Sequence, residues 1–233
     1  MTTVSVSGRA VSGLGRRAGW VLIALAAMTA TGASASEGRN WYATGTFGLV
    51  TQSDQELAYT RPGSASATRT TLPLDTGFLA GGAIGRYVSD AWRIEIEFMY
   101  QSVDHPTITL AGGGPSGEGN YASTSVAANA LREFDLFGSP RVRSYLGLGA
   151  VYLTEVDVDF ERSGGEQGFS GSGTGLQALL GARYLLGERA FVDAGVRYLL
   201  ASGQELDGEE GAVGRVKADY EPLAVTVSFG WRF

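Results

Sequence analysis

The chain has 233 residues, 18 of them basic and 24 acidic, a formal net charge of −6, and no cysteine. The missing thiols exclude a disulfide framework and a thiolate metal centre, and the acidic balance disfavours nucleic acid as a partner, because phosphate binding needs basic clusters. A hydrophobic content of 44% is too high for a disordered chain, and 35 glycines against 6 prolines is the most distinctive count.

The first 35 residues differ from the rest. Arg9, Arg16 and Arg17 precede an apolar run from Gly19 to Ala30, followed by Ala33-Ser34-Ala35. A basic n-region, a short apolar core and a small-residue cleavage site predict a cleaved secretory signal peptide over 1–35. The run falls short of the ~20 residues that a bilayer-spanning helix needs. Cleavage after Ala35 leaves a single domain, 36–233, with 15 basic and 24 acidic residues and a net charge of −9. No later apolar run is long enough for a membrane helix, yet alternating stretches recur, which is the signature of a membrane β-barrel.

The alternation predicts strands at 40–51, 76–88, 91–101, 122–135, 142–154, 173–185, 190–200 and 222–233. Eight is an even number, and each segment is near the ~9–11 residues of a tilted spanning strand. The fold class is therefore all-β, an eight-stranded antiparallel transmembrane β-barrel with meander topology. In the third strand Trp92, Ile94, Ile96, Phe98 and Tyr100 share one face, and Arg93, Glu95, Glu97, Met99 and Gln101 the other. An arginine turned to mid-membrane lipid costs about 2–4 kcal/mol, so the apolar face points outward. Pairing Val88 with Ala91 across a two-residue turn sets Tyr87 opposite Trp92, Gly85 opposite Ile94 and Arg86 opposite Arg93.

The stretch from Thr174 to Ala201 favours helix by propensity. At period two, however, Leu176, Ala178, Leu180, Ala182 and Tyr184 share a face, and a turn at 187–189 brings Arg183 opposite Asp193. The last strand sets Leu223, Val225, Val227, Phe229, Trp231 and Phe233 outward and pairs with the strand that begins near Trp41, which removes every sheet edge. Long polar links rich in glycine, serine and acids at 52–75, 102–121, 155–172 and 201–221 alternate with short turns at 89–90, 138–141 and 187–189. Long extracellular loops and short periplasmic turns are the outer-membrane layout.

This arrangement assigns Trp41, Tyr87, Trp92, Tyr100 and Tyr198 to interfacial aromatic girdles. It turns Arg93, Glu95, Glu97, Arg183, Asp193 and Arg197 into the lumen. Those charges would form either a selectivity element or a plug. An eight-stranded barrel is just wide enough for its own side chains to fill, which favours a plug of paired charges. Ser102, Asp104 and His105 contain the residue types of a hydrolytic triad, but they lie at the root of a predicted loop without a nucleophile elbow, and an ordinary loop histidine is the preferred reading. Glu155, Asp157, Asp159 and Glu161 share one side of a strand that extends past the membrane; they lack EF-hand spacing and read as a solvated acidic loop. The glycine strings at 112–119 and 171–175 lack the lysine of a phosphate-binding loop and read as flexible loop and strand-entry glycine. No catalytic, cofactor-binding or metal-ligating residue is expected, and no enzyme activity.

The apparent signal peptide, WRIEIEFMY, TSVAANALREFD, RSYLGLGAVYL, FVDAGVRYLL and VTVSFGWRF together resemble the small outer-membrane β-barrels, most closely the opacity-protein and OmpA-type barrels of Gram-negative bacteria. The resemblance covers nearly the whole chain after residue 35 and rests on patterned strands rather than catalytic motifs. It implies location in the bacterial outer membrane, contact with outer-membrane lipid and lipopolysaccharide, and insertion with the help of periplasmic chaperones and the barrel-assembly machinery. It further implies that Phe229, Trp231 and Phe233 form an assembly signal, and that the protein is a structural barrel, surface antigen or adhesin contacting a host or matrix ligand through four loops. A periplasmic peptidoglycan-binding domain after the last strand is missing from the pattern, which argues against cell-wall anchoring. The alternatives are a narrow channel for ions or small apolar molecules, as in OmpW-type barrels, and, remotely, a lipid-modifying enzyme centred on His105.

Overall fold

Apolar and polar side chains alternate along strand after strand, and one closed antiparallel sheet satisfies that alternation. The computed structural model describes residues 40–110, 114, 116–162, 165–209 and 212–233. The expected signal segment lies outside the described residues, as do the tips of three connections. Strands β1 (Trp41–Thr51), β4 (Thr76–Tyr87), β5 (Trp92–Thr109), β6 (Ser116–Phe134), β7 (Val142–Arg162), β8 (Gly165–Leu185), β9 (Ala190–Glu209) and β11 (Leu223–Arg232) form a ring in the order β11-β1-β4-β5-β6-β7-β8-β9. The ring closes because β11 pairs with β1 on one side, from Tyr42↔Arg232 to Thr51↔Leu223, and with β9 on the other. Backbone groups at membrane depth thus find partners within the sheet, as lipid requires.

The outward face is predominantly apolar on all eight strands. Ile96 is 60% exposed, Leu148 68% and Val225 61%, whereas their neighbours Glu95, Gly149 and Ala224 are buried. A band of exposed apolar side chains on this scale is intolerable in water and is the surface a bilayer covers. Trp41, Trp92, Tyr184 and Trp231 ring the end with the short turns, and Phe78, Tyr152, Tyr198 and the half-buried Tyr100 ring the other.

Two expectations are corrected. The first concerns the β4–β5 hairpin, whose register is displaced by one residue: Tyr87 faces Arg93, Arg86 faces Ile94 and Gly85 faces Glu95. The turn holds three residues rather than two, because the Ser89 hydroxyl accepts the Ala91 and Trp92 amides while the Val88 amide reaches the Trp92 carbonyl. A slip of one residue flips every side chain of a strand. Tyr87 therefore points into the lumen and is no girdle residue, and Arg86 points outward, away from Arg93. The inverted face also has a packing reason: a Cβ on Gly85 would lie 2.2 Å from the Tyr42 ring, so glycine faces inward where that ring needs the space.

The second correction concerns the four long links, which are mostly sheet. β5 to β9 run far past the girdle as continuous hairpins, β2 (Gln55–Thr60) and β3 (Ala67–Leu72) form a hairpin of their own, and β10 (Arg215–Tyr220) stands above β11. β10 pairs with both β9 and β2, and β2 with β3. This upper wall has the order β5-β6-β7-β8-β9-β10-β2-β3; among the described residues its ladder stays open between β3 and β5. Its strands form because they have a core to enclose. Val156, Val158 and Phe160 of β7, Phe169 of β8, Leu206 of β9 and Tyr220 of β10 are all fully buried in one cluster. A bulge between Leu153 and Val156 keeps both residues inward and leaves Glu155, Asp157, Asp159 and Glu161 on the outer side. Gly117 and Gly119 lie inside β6 rather than in a flexible loop, and the glycines of 171–175 lie within β8, which already begins at Gly165.

Candidate functional site

The lumen is the site that the alternation builds, and it is filled in two chemically distinct lengths. At the short-turn end, Arg93 and Arg183 are the two largest fully buried side chains. Arg183 grips Asp193 with a two-pronged fork, Nε to Oδ1 and Nη2 to Oδ2, each 2.7 Å. Its guanidinium also donates to the Tyr87 hydroxyl at 2.6 Å and lies 3.6 Å from the centre of the Phe191 ring. Arg93 contacts Glu95 and lies 3.1 Å from Glu133, with its guanidinium between the rings of Tyr42 and Tyr145. The Tyr42 hydroxyl donates to Glu95, and Tyr87 donates to Glu133 at 2.9 Å. Arg232 from β11 donates to the Tyr87 hydroxyl at 3.0 Å.

One layer higher, Arg197 pairs with Glu97 at 2.6 Å, and Gln177 bridges Glu97 and Asn129. The structure therefore gives all six lumen residues named from sequence a charged partner, with Arg93, Glu95, Arg183 and Asp193 in one network through Tyr42, Tyr87 and Glu133 and Glu97 paired with Arg197 in a separate layer above it. It adds Tyr42, Tyr87, Glu133, Tyr145, Gln177 and Arg232. Of these, Glu133 and Arg232 were legible as polar positions on alternating strands. Tyr42 and Tyr145 were not, because a tyrosine fits either face. Desolvating this many charges is affordable only when each has a partner, and the fork geometry of arginine supplies several at once.

Above this network the lumen turns apolar. Leu57, Leu72, Tyr121, Val216 and Tyr220 join the β7–β9 residues in the upper core. The Tyr121 and Tyr220 rings meet edge to face, 4.9 Å apart, and the Tyr121 hydroxyl donates to the Asp219 carbonyl. Burial pushes both phenols well above their ordinary range.

The triad reading of Ser102, Asp104 and His105 is overturned by placement. His105 turns inward beneath the Phe160 ring, with Nδ1 3.0 Å from the Pro106 carbonyl and Nε2 2.8 Å from the Asp159 carbonyl. With backbone oxygens against both ring nitrogens, no nitrogen is left to activate a serine, and Asp104 stands exposed on the other face. Among the described residues no group of three or more acidic or histidine side chains is placed to hold a metal ion.

Trp41, Trp92 and Tyr198 stand exposed at the rims, with Tyr100 half-buried. Phe229, Trp231 and Phe233 face outward at the short-turn end, where the Phe233 amide donates to the Trp41 carbonyl at 2.9 Å.

The family described as "Outer membrane protein beta-barrel domain" matches residues 21–233. No curated protein sequence matches the chain. Among solved structures, the outer membrane protein OprG from Pseudomonas aeruginosa is similar at 19% identity and a TM-score of 0.61, covering 83% of this chain and 95% of that one. Neisserial surface protein A is similar at 18% identity and 0.48, covering 83% and 97%. The outer membrane protease OmpT from Escherichia coli is similar at 10% identity and 0.45, with the same coverage. At these identities the likeness is one of fold.

Proposed function

The chain belongs to the outer-membrane β-barrel family, and we propose that it is a sealed, non-enzymatic surface barrel that carries a stiff β-walled extension above the outer membrane. One observation supports this reading most: the lumen is blocked twice, by the buried Arg93 and Arg183 network and by the upper apolar core. An ion would have to displace paired charges held in low dielectric, and a small apolar molecule would have to displace packed side chains. The extension, with Glu155, Glu161 and Glu166 outward and exposed, is then a presenting surface for a host or matrix ligand. The channel alternative draws on the apolar upper lumen and its open β3–β5 seam. Planar-bilayer recording decides between them: the sealed barrel gives no conductance steps, and discrete openings of the purified protein would overturn the reading.

Assembly is part of the same proposal. The outward aromatic row Phe229, Trp231 and Phe233 on β11 is the surface offered to the barrel-assembly machinery. Phe233→Ser should lower the yield of inserted barrel several-fold while leaving the melting temperature of the inserted fraction unchanged. Normal insertion would remove that role.

A further inference from the structure

The lipid-facing wall carries an asymmetry that neither sealing nor surface display requires. Outward positions of the eight spanning strands are apolar, small or hydroxylated, with two exceptions. Arg86 on β4 and Arg132 on β6 are the only charged side chains on that face among the described residues, and both are exposed. They flank the same strand: Arg86 is paired with Ile94 and Arg132 with Trp92. Two strand spacings across the sheet and two residues along it separate their backbone positions, roughly 12 Å. Each guanidinium lies over an indole, Arg86 5.5 Å from the Trp41 ring centre and Arg132 6.0 Å from that of Trp92. Neither has a carboxylate within ion-pair distance among the described residues. The third tryptophan of this rim, Trp231, has only Ala43 and Ala190 as its cross-strand neighbours, so the basic pair is confined to one sector of the ring.

Directly above it the wall is hollow. Ala130 is flanked by Ile94 and Leu148, and Ala128 by Ile96 and Ala150, so the three alanines form a floor beside the taller Ile94, Ile96 and Leu148. The resulting groove has a volume of about 610 Å³ and reaches down to Trp41 and Arg86. It continues through Ala128, Ala150 and Leu176 into a second hollow beside Tyr152. The first volume lies within the ~300–1,000 Å³ of small-molecule sites.

A hollow in a lipid-facing wall is filled by lipid, and two unpaired guanidiniums at its foot select which one. They sit at the short-turn, periplasmic rim, the level of inner-leaflet headgroups, whereas lipopolysaccharide headgroups lie beyond the opposite rim. We propose that this sector binds one anionic glycerophospholipid of the periplasmic leaflet. Its phosphate sits between Arg86 and Arg132 through charge-assisted hydrogen bonds, and one acyl chain lies along the Ala128–Ala130 floor.

Native mass spectrometry of the folded barrel, released from detergent containing equal amounts of phosphatidylglycerol and phosphatidylcholine with identical chains, tests this. The wild type should retain a single phosphatidylglycerol, favoured over phosphatidylcholine by roughly fivefold for each of the two arginines, about thirtyfold for the pair at about 1 kcal/mol per interfacial arginine. R86Q/R132Q should bring the two lipids to parity, R86K/R132K should keep part of the preference, and A130L, which fills the groove, should lower retention of both. Arg215→Gln, a remote exposed arginine, should change nothing. Heat-dependent gel migration confirms folding of each variant. Equal retention by the wild type, an undiminished preference in R86Q/R132Q, or an equal loss in R215Q would overturn the site and leave only a non-specific basic rim. If R86Q/R132Q does not fold, unchanged retention by folded A130L does the same.

Discussion

The two lengths of the lumen fill the same narrow cylinder with opposite chemistry. Within the membrane, arginine forks, carboxylates and tyrosines interlock; above it, leucine, valine and aromatic rings pack as in a soluble core. The difference follows from what lies outside the wall. A spanning strand spends its apolar residues on lipid, so period two hands the lumen its polar ones. Above the membrane the outer face meets water, the polar residues move outward, and the same period delivers apolar residues to the inside. β7 shows the exchange within one strand: Leu148 and Tyr152 point to lipid, and past the bulge Val156 and Phe160 point inward.

If the polar length is a cooperative network and the apolar length an independent core, single truncations should spread differently. Arg183→Ala is expected to have the largest effect, because it strands Asp193 and removes a partner of Tyr87 and Glu133. Breaking one partner of a buried pair costs about 3–5 kcal/mol, which should appear in urea unfolding of the vesicle-inserted barrel as one shifted transition. A loss below ~1 kcal/mol would mean that the arginine is filler and the network a coincidence of packing. Leu206→Ala ranks second, at about 2–4 kcal/mol, in the lower part of the range for a buried leucine, since the open seam lets the upper wall relax. Its loss should be local, seen as faster proteolysis of β9 and β10 with the membrane transition in place. A shift of the membrane transition equal to that of Arg183→Ala would show that the two lengths unfold as one.

The eight spanning strands and their closure were legible because lipid enforces a clean period of two, and β5 and β11 display it without a break. Two things resisted. The 88–91 turn carries no glycine or asparagine to announce its length, so the choice of three residues over two depended on the Ser89 hydroxyl and on space for the Tyr42 ring, neither visible in one strand. The upper wall resisted for a different reason: Glu155, Asp157, Asp159 and Glu161 gave the segment the polarity of a loop, although Val156, Val158 and Phe160 already alternated between them. Composition points to a loop there and period to a strand, and the strand forms because its inward residues have a core to enclose. The lumen network was half legible: charge marks an inward position in a lipid-facing strand, whereas Tyr42 and Tyr145 needed coordinates.

The smallest expected effect separates the two lengths by pH. Tyr121 and Tyr220 are buried in the upper core, and burial raises both phenols above the ordinary value of about 10. For an acid whose folded value is raised, the folded state favours the protonated form. That contribution is fully present below about pH 10 and is lost as pH rises from there through the folded value. The upper wall should therefore loosen in alkali while the lipid-shielded barrel remains inserted. Limited proteolysis between pH 9 and 12 reads this directly: Tyr121→Phe/Tyr220→Phe, which has no phenol to ionise there, should keep its extension intact to higher pH than the wild type. Tyr121→Phe also gives up the hydrogen bond to the Asp219 carbonyl, about 1 kcal/mol, so the variant should start slightly weaker at neutral pH and overtake the wild type only in alkali. A crossing of the two curves is the signature of buried phenols. Parallel curves would place the alkaline weakness outside the buried phenols, and the upper core would then be no more sensitive to pH than the membrane length below it.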